Sequence, residues 1–227
     1  MHENNSWSDV RVFYAKTGLA KYVSHLDTVR VMTRAIKRTA LPVWYTEGFN
    51  PHIFLTFARP LSLGQESLCE SFDFRLCGEA TFKEIANRLN EALPEGFQVT
   101  AVGKPDHSPR DIAFADFKAV IECQNPNALA DRILSVYNGE KITVMKKGKQ
   151  GRRKVEKEID IKPHISEFKI TPEADTLTLN FRLTAGETNS VNPSLLIGAL
   201  TESFDGVIGS VNILKLSVML ENGERFS

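Results

Sequence analysis

The segment DVRVFYA, residues 9–15, alternates apolar and polar side chains, which is the pattern of a strand with one buried face. A helical pattern follows from about Leu26 to Ala40. It ends before Pro42, because proline disfavours helical geometry in the residue that precedes it. The fold class therefore depends on the elements that come after this strand and this helix.

The elements that follow complete the order βαββαβ. Strand patterns occur at HIFLTFA (52–58), ESFDFRL (70–76) and FQVTAVG (97–103). A helix is predicted between the last two strands, at TFKEIANRLNEAL (81–93), because its apolar residues fall on one helical face. Thr81, at the start of this segment, is the candidate N-cap. This is the order of the ferredoxin-like split unit, so we predict an N-terminal ferredoxin-like domain at residues 1–104.

The same order recurs in the second half of the chain. A polar, proline-bearing segment at 105–114 is predicted to be a linker. A strand, a helix, a basic hairpin at 141–163 and then strand, strand, helix and strand patterns follow it. We therefore predict an α+β protein of two tandem ferredoxin-like (βαββαβ) units, a duplication. The second unit, at 115–227, carries the inserted basic β-hairpin.

The bulk composition restricts the location and the chemistry of the protein. The 227 residues include 28 basic and 28 acidic side chains, and no run approaches the roughly 18 apolar residues of a membrane span. The N-terminus lacks the pattern of a secretory signal, so we expect a cytoplasmic protein without membrane contact. Three cysteines at irregular spacing form neither a disulfide framework nor a zinc or iron–sulfur site. We predict no metal and no cofactor.

The segment YVSHLDTVR (22–30) places His25 two residues before Asp27. This spacing is compatible with a base and its orienting partner, with a metal pair or with a helix start. Ser24 followed three residues later by Asp27 matches a helix capping box, which explains both residues without a function. His25 is not needed for the cap, and we assign it to a recognition pocket.

Three arginines follow on the predicted helix, at positions 30, 34 and 38, on the flank opposite its apolar side. No acidic residue lies between Asp27 and Glu47 to pair with them. Such a row is typical either of a solvated face or of phosphate binding, to which the forked donors of arginine are suited. We predict phosphate contacts from Lys21, Arg30, Arg34 and Arg38.

The stretch WYTEGFNPHIFLTFARPLSLG (44–64) concentrates aromatic residues in a loop. Phe54 and Phe57 are assigned to the core, whereas Phe49, beside Gly48, is the best candidate for an exposed ring that stacks on a base. The predicted pocket residues are His25, Glu47, Phe49, Asn50 and His52.

The segment MKKGKQGRRKVEK (145–157) carries seven cations against the single carboxylate of Glu156. It is either a solvated hairpin tip or a surface that follows a phosphate backbone, and the charge density favours the second interpretation. The predicted RNA-phosphate contacts here are Lys146, Lys147, Lys149, Arg152, Arg153 and Lys154.

Residues 16–67 resemble the opening of a bacterial radical-SAM-linked family of unknown function. The resemblance lies in SHLD (24–27), GFNPH (48–52) and PLSLGQES (60–67), and the later VEKEIDIKPHI resembles a second motif of that family. Ile53 departs from the pattern, which usually has proline there. The resemblance implies a radical-SAM partner. Because this chain lacks a CxxxCxxC triad, the radical chemistry would belong to that partner.

Three functions are compatible with these patterns. We expect a non-catalytic module that binds RNA or presents a substrate, working with a radical-SAM enzyme or with the translation and RNA-processing machinery. The first alternative is a metal-independent endoribonuclease with His25 as general base and His52 as general acid. The second is a protein-binding adaptor whose basic residues have no role in binding RNA.

Overall fold

The computed structural model describes residues 7–150 and 153–227, with side chains described for 7–145 and 156–227. Within these residues the protein is a mixed α+β structure with four α-helices, and the strand pairings described are antiparallel. The chain divides into two compact units. Unit 1 comprises Met1–Asp111 and Arg225–Ser227, and unit 2 comprises Ile112–Glu224.

From residue 7 onward, where the structure describes it, unit 1 contains four strands and two α-helices. Strand β1 lies between β4 and β3, and β2 pairs with β3. The elements are β1 (Ser8–Lys16), α1 (His25–Arg38), β2 (Leu55–Phe57), β3 (Glu66–Leu76), α2 (Phe82–Ala92) and β4 (Phe97–Gly103), with a short 3-10 helix at Gly18–Tyr22.

The core of unit 1 forms because the apolar positions of β1 and β3 share one face of the sheet. Val10, Val12 and Phe72 on that face pack in one cluster with Met32 of α1 and Ile85 of α2. The two helices begin at caps formed by their own side chains. At α2 the predicted N-cap Thr81 is confirmed, and Glu84, as the reciprocal residue, completes a full capping box that was not predicted.

The opposite face of β1 carries a buried charge. The Arg11 side chain is 1% exposed and donates from Nε and Nη2 to the two carboxylate oxygens of Asp73, at 2.7 and 2.8 Å. Its Nη1 donates to the backbone oxygen of Ser227 at 2.7 Å, and the ring of Phe226 lies 4.4 Å from the guanidinium carbon. This arginine therefore joins the first strand to β3 and to the last residues of the chain.

Unit 2 has a sheet of four strands, in the order β10-β5-β9-β8, and a separate two-stranded sheet of β6 and β7. Helices α3 and α4 contribute Leu129, Ile133 and Leu196 to its core. The elements are β5 (Ile112–Cys123), α3 (Pro126–Asn138), β6 (Thr143–Gln150), β7 (Arg153–Asp160), β8 (Ile165–Pro172), β9 (Thr176–Thr184), α4 (Pro193–Thr201) and β10 (Ile208–Leu220).

Several elements differ in extent from their sequence predictions. The hairpin predicted within 141–163 is present as β6 and β7. In contrast, the strand predicted at 52–58 is reduced to Leu55–Phe57, because the chain before it folds back on itself through a bridge between Tyr45 and Ile53. Strand β5 already begins at Ile112, within the segment predicted to be a linker. None of the helices in the described residues is both long and apolar enough to cross a membrane.

Replacing Asp73 by alanine is expected to lower the free energy of unfolding by about 3 kcal/mol, because it leaves the buried Arg11 without its carboxylate. Urea denaturation followed by circular dichroism measures the change. Asp9→Ala is the matched control, since it removes a carboxylate from the more exposed Arg75 and is expected to cost less than about 1 kcal/mol. Equal losses in the two variants would contradict the special role of the buried pair.

Candidate functional site

The N-terminus of α1 is closed by Ser24 and Asp27, as the sequence predicted. The Ser24 hydroxyl accepts from the Asp27 backbone N–H at 3.1 Å and donates to the Asp27 carboxylate at 2.7 Å. The carboxylate thus binds the hydroxyl, whereas in a complete capping box it would accept the backbone N–H of the N-cap residue. Aspartate is one methylene shorter than the glutamate found at α2. The hydrogen bond from the Ser24 hydroxyl is the largest cause that lowers the pKa of Asp27, and the hydrogen bond from Arg30 is the second.

Two of the three arginines of α1 have partners that were not predicted from the sequence. Arg30 donates to Asp27 at 2.8 Å, one turn earlier on the same helix, and Arg38 donates to the backbone oxygen of Ala92. Arg34 is exposed and makes no hydrogen bond or ion pair with the residues that the structure describes. Of the predicted row, Arg34 is therefore the member whose donors are fully available to a ligand.

His25 is the first residue of α1 and is exposed. Its ring meets the ring of Phe57 edge to face, with the centroids 5.3 Å apart. Phe57 in turn packs against Phe72 in the core. The imidazole thus rests on an aromatic surface at the end of the sheet.

Beneath this end of the sheet lies a buried polar cluster, formed by Tyr14, Lys16 and Glu70. Lys16 is 2% exposed, and its ammonium group donates to the backbone oxygen of Val23 at 2.6 Å. Burial lowers the pKa of Lys16, and the charge of Glu70 opposes that shift. Burial raises the pKa of Tyr14 well above its ordinary value, and Glu70 adds to the increase.

This cluster was not predicted from the sequence, although the sequence contains a signal for it. Tyr14 and Lys16 continue the alternating positions of Val10 and Val12, and Glu70 precedes Phe72 and Phe74 in the same way. A charged residue at a core-facing position of a strand is uncommon unless it has a partner. Alternation alone could therefore have identified Lys16 and Glu70.

Three hydrogen bonds to two other segments of the chain hold the 3-10 helix Gly18–Tyr22 and the residue before it in place. The Gly18 N–H donates to the Glu66 carboxylate at 2.6 Å, and the Gly64 N–H donates to the Lys21 oxygen at 2.8 Å. The backbone of the preceding residue, Thr17, donates to the Gly96 oxygen at 2.8 Å. This support involves the glycine and glutamate of the PLSLGQES stretch.

The supported 3-10 helix and its neighbours expose large apolar side chains. We call these four residues the apolar patch: Leu19, Tyr22, Leu26 and Leu63. Leu19 is 85% exposed, and it lies on the same side of the 3-10 helix as Tyr22, three residues later. The ammonium group of Lys21 lies 5.4 Å from the Tyr22 ring. Exposed apolar groups on a fixed backbone are typical of an interaction surface.

Residues 43–57 form a folded-back loop, which we call the aromatic loop. The Thr46 N–H donates to the His52 oxygen at 2.8 Å, and Gly48 adopts a φ of 118°, a value that side chains rarely allow. At its tip the Phe49 side chain is fully exposed, at 105%. Ile53, where the resembling family usually has proline, is buried in the core.

The predicted pocket residues are only partly brought together. Glu47, Phe49, Asn50 and His52 lie on the aromatic loop and are exposed. His52 Nδ1 lies 3.0 Å from both the Thr46 hydroxyl and the Asn50 backbone oxygen, so this imidazole holds the loop. The His25 ring contacts Phe57. Among the described residues there is no contact between His25 and His52, the pair of imidazoles that the ribonuclease alternative requires.

Most of the basic side chains of the hairpin lie outside the described part of the structure, so the structure does not test their predicted phosphate contacts. Lys146, Lys147, Lys149, Arg153 and Lys154 belong to β6 and β7, but their side chains lie outside the described part of the structure. Arg152 lies outside the described residues altogether. In the described ranges, no three His, Cys, Asp or Glu side chains are grouped to hold a metal ion.

Comparisons with known proteins show a family match and distant structural likenesses. A family model described as "Uncharacterized protein conserved in bacteria (DUF2344)" matches residues 10–193. No curated protein matches the chain. A chain from a solved "Cbf5-Nop10-Gar1 Complex" is similar with a TM-score of 0.48 and 8% identity. The match covers 92% of this protein and 48% of that chain, so the protein spans about half of its length.

A second solved structure, "an Unknown Protein from Galdieria sulphuraria", has a TM-score of 0.26 and 15% identity. It is matched over 92% of this protein and 99% of its own chain. Both TM-scores are too low to establish a shared fold.

The buried phenol of Tyr14 predicts a dependence of stability on pH. Its pKa is raised in the native state, whereas in the unfolded chain it titrates near the ordinary value of 10.0. Below pH 10 both states hold the proton, so Tyr14→Phe leaves the pH dependence unchanged there. Above pH 10 only the unfolded state releases the proton. The wild type is therefore expected to lose up to about 1.4 kcal/mol per pH unit relative to Tyr14→Phe.

Urea denaturation of both proteins between pH 7 and pH 11 measures this difference. Tyr45→Phe is the matched control, because the Tyr45 side chain is exposed. If Tyr14→Phe and Tyr45→Phe change the alkaline slope equally, the cluster does not control the titration.

Proposed function

The chain belongs to the family "Uncharacterized protein conserved in bacteria (DUF2344)", and on that premise we propose that it is a non-catalytic accessory module that binds single-stranded RNA. In this role it presents RNA, or a substrate carried on RNA, to a radical-SAM enzyme or to the RNA-processing machinery. The observation that carries the proposal is the fully exposed Phe49 ring on the hydrogen-bonded aromatic loop.

An exposed phenylalanine is unfavourable for a loop that only connects two elements. Folding gains nothing from a ring that stays in water, whereas Phe54 and Phe57 of the same loop pack against Trp44 and Phe72. An unpaired base can stack on such a ring, and each stack is worth about 1–3 kcal/mol. The hydrogen bonds of Thr46 and His52 fix the loop beforehand, which reduces the entropy that binding costs.

Basic side chains would supply the phosphate contacts of this proposal. Arg34 is exposed and has no protein partner among the described residues, and Lys37 follows it on the exposed side of α1. The positive charge of the 145–157 segment adds a second group of cations, known from the sequence. The net charge of the chain is zero, so this binding would depend on local groups and would weaken as salt rises.

We further propose that both units are ferredoxin-like repeats. In unit 1 the strands pair in the order β4-β1-β3-β2. In unit 2 the order β10-β5-β9-β8 places the corresponding strand at each of these four positions. Each helix of one unit has a counterpart between the equivalent strands of the other. This correspondence supports a duplication in which β6 and β7 are an insertion of the second repeat.

RNA binding is tested with a labelled single-stranded oligonucleotide and fluorescence anisotropy. Phe49→Ala is expected to weaken affinity about tenfold or more, because a stacked base loses its aromatic partner. Arg34→Glu is expected to weaken affinity and to reduce the slope of log affinity against log salt by about one.

The matched controls lie on α2. Phe82→Ala removes another exposed phenylalanine, and Arg88→Glu reverses another exposed arginine, so both should leave affinity unchanged. The proposal fails if the protein shows no binding at low salt, or if the α2 variants weaken binding as much as the α1 and loop variants do.

A second candidate function, a protein-binding adaptor, is favoured by the apolar patch. The patch is exposed, and its 3-10 helix is fixed by Gly64 and Glu66. We propose that it docks the radical-SAM protein implied by the resemblance of residues 16–67. The two functions are compatible, since the patch and Phe49 are different side chains.

Docking is tested by co-purification with a tagged radical-SAM protein of the same organism. The double variant Leu19→Glu with Leu63→Glu is expected to abolish the association, because two carboxylates would have to be buried in the interface. Leu134→Glu, at an exposed leucine of α3, is the matched control. Association that survives the double variant would exclude the patch as the docking site.

A further inference from the structure

Arg59 follows β2 and precedes Pro60. Its Nε and Nη2 atoms are shielded from solvent, yet neither has a hydrogen-bond partner among the described residues. These two nitrogens form one edge of the guanidinium group, and their N–H bonds point in the same direction. Such an edge is suited to two acceptor oxygens of one group.

The protein uses the same edge of two other arginines to bind carboxylates. Nε and Nη2 of Arg11 donate to the two oxygens of Asp73 at 2.7 and 2.8 Å. Nε and Nη2 of Arg182 donate to the two oxygens of Asp116 at 2.7 and 3.2 Å. Arg59 has the same two donors out of solvent, but the described part of the chain supplies no carboxylate to them.

The position of Arg59 is determined by its neighbours. The preceding residue, Ala58, donates its backbone N–H to the Ser71 oxygen at 3.1 Å, and Leu61, two residues after Arg59, is buried. The backbone that carries Arg59 is therefore held on both sides, which reduces the entropy that ordering its side chain around a ligand would cost. Arg132 offers a contrast, since only its Nε is buried without a partner and a single donor does not define a bidentate site.

Two guanidinium donors that are shielded from water without an acceptor destabilise the native state, because they have lost their hydrogen bonds to water and gained none in exchange. A straight apolar side chain such as methionine would fill the same space without that cost. We propose that Arg59 anchors a binding site for a small oxyanion with two coplanar acceptor oxygens. A phosphate group and a carboxylate share this chemistry. This site goes beyond the proposed RNA surface, since it rests on neither Phe49 nor Arg34.

Thermal unfolding of the full chain is measured in a buffer free of oxyanions, with inorganic phosphate or acetate added at constant ionic strength. One of the two anions is expected to raise the melting temperature in a saturable way. Preference for phosphate would identify a phosphoryl ligand, and preference for acetate would identify a carboxylate ligand. Isothermal titration calorimetry with the preferred anion provides the dissociation constant.

Variants at position 59 assign the binding to this side chain. Arg59→Met is expected to abolish the saturable effect. Arg59→Lys is expected to weaken it about tenfold, because an ammonium group cannot make two parallel hydrogen bonds. Arg88→Met, which removes an exposed arginine of α2, should leave the dissociation constant unchanged.

A folding defect is excluded by the same measurements. Without anion, Arg59→Met is expected to melt at or above the temperature of the wild type, because it removes two shielded donors that have no acceptor. A large fall in its melting temperature would mean that the guanidinium has a structural partner, and the proposal would be wrong. Anion binding that persists in Arg59→Met, or no saturable effect of either anion on the wild type, would also overturn it. These outcomes are independent of RNA affinity.

Discussion

The alternation of side chains along β1 constrains unit 1 more than any other feature. Successive residues of a strand point to opposite faces, and both faces of β1 are buried here. Apart from Asp9, which is exposed at the start of the strand, its charged residues therefore cannot turn to water. Arg11 is bound by Asp73 and by the last residue of the chain, and Lys16 is bound by the oxygen of Val23. Arg11 thus joins β1 to residues 62 and 216 positions away, and Lys16 joins it to the segment seven positions later.

The contact of Lys16 connects this constraint to the exposed features of the unit. Val23 directly follows the 3-10 helix and precedes the cap of α1, so the buried ammonium group holds the junction between them. Because Gly64 and Glu66 hold the other side of the 3-10 helix, the exposed Leu19 and Tyr22 stand on a backbone with little freedom. An interaction surface on such a support loses little entropy when a partner binds.

Local interactions were predictable from the sequence, and long-range ones were not. The caps at Ser24 and Thr81 and the order of the elements depend on residues three or four positions apart, which one sequence displays directly. The pairing of Arg11 with Asp73 joins residues 62 positions apart and depends on the register of β1 with β3, which no local pattern specifies. The partners of Arg30 and Arg38 were missed for different reasons. Asp27 had been assigned wholly to the cap, and the acceptor of Arg38 is a backbone oxygen on α2.

The candidate site shows the same division. Exposure of Phe49 followed from its place beside Gly48, because a glycine with positive φ marks a tight loop whose tip faces outward. The role of His52 did not follow, since a histidine between aromatic residues is equally compatible with catalysis and with bracing. Its contacts with Thr46 and Asn50 are both made by Nδ1, and they fix the imidazole on its own loop. The aromatic loop is therefore best understood as a rigid support for Phe49.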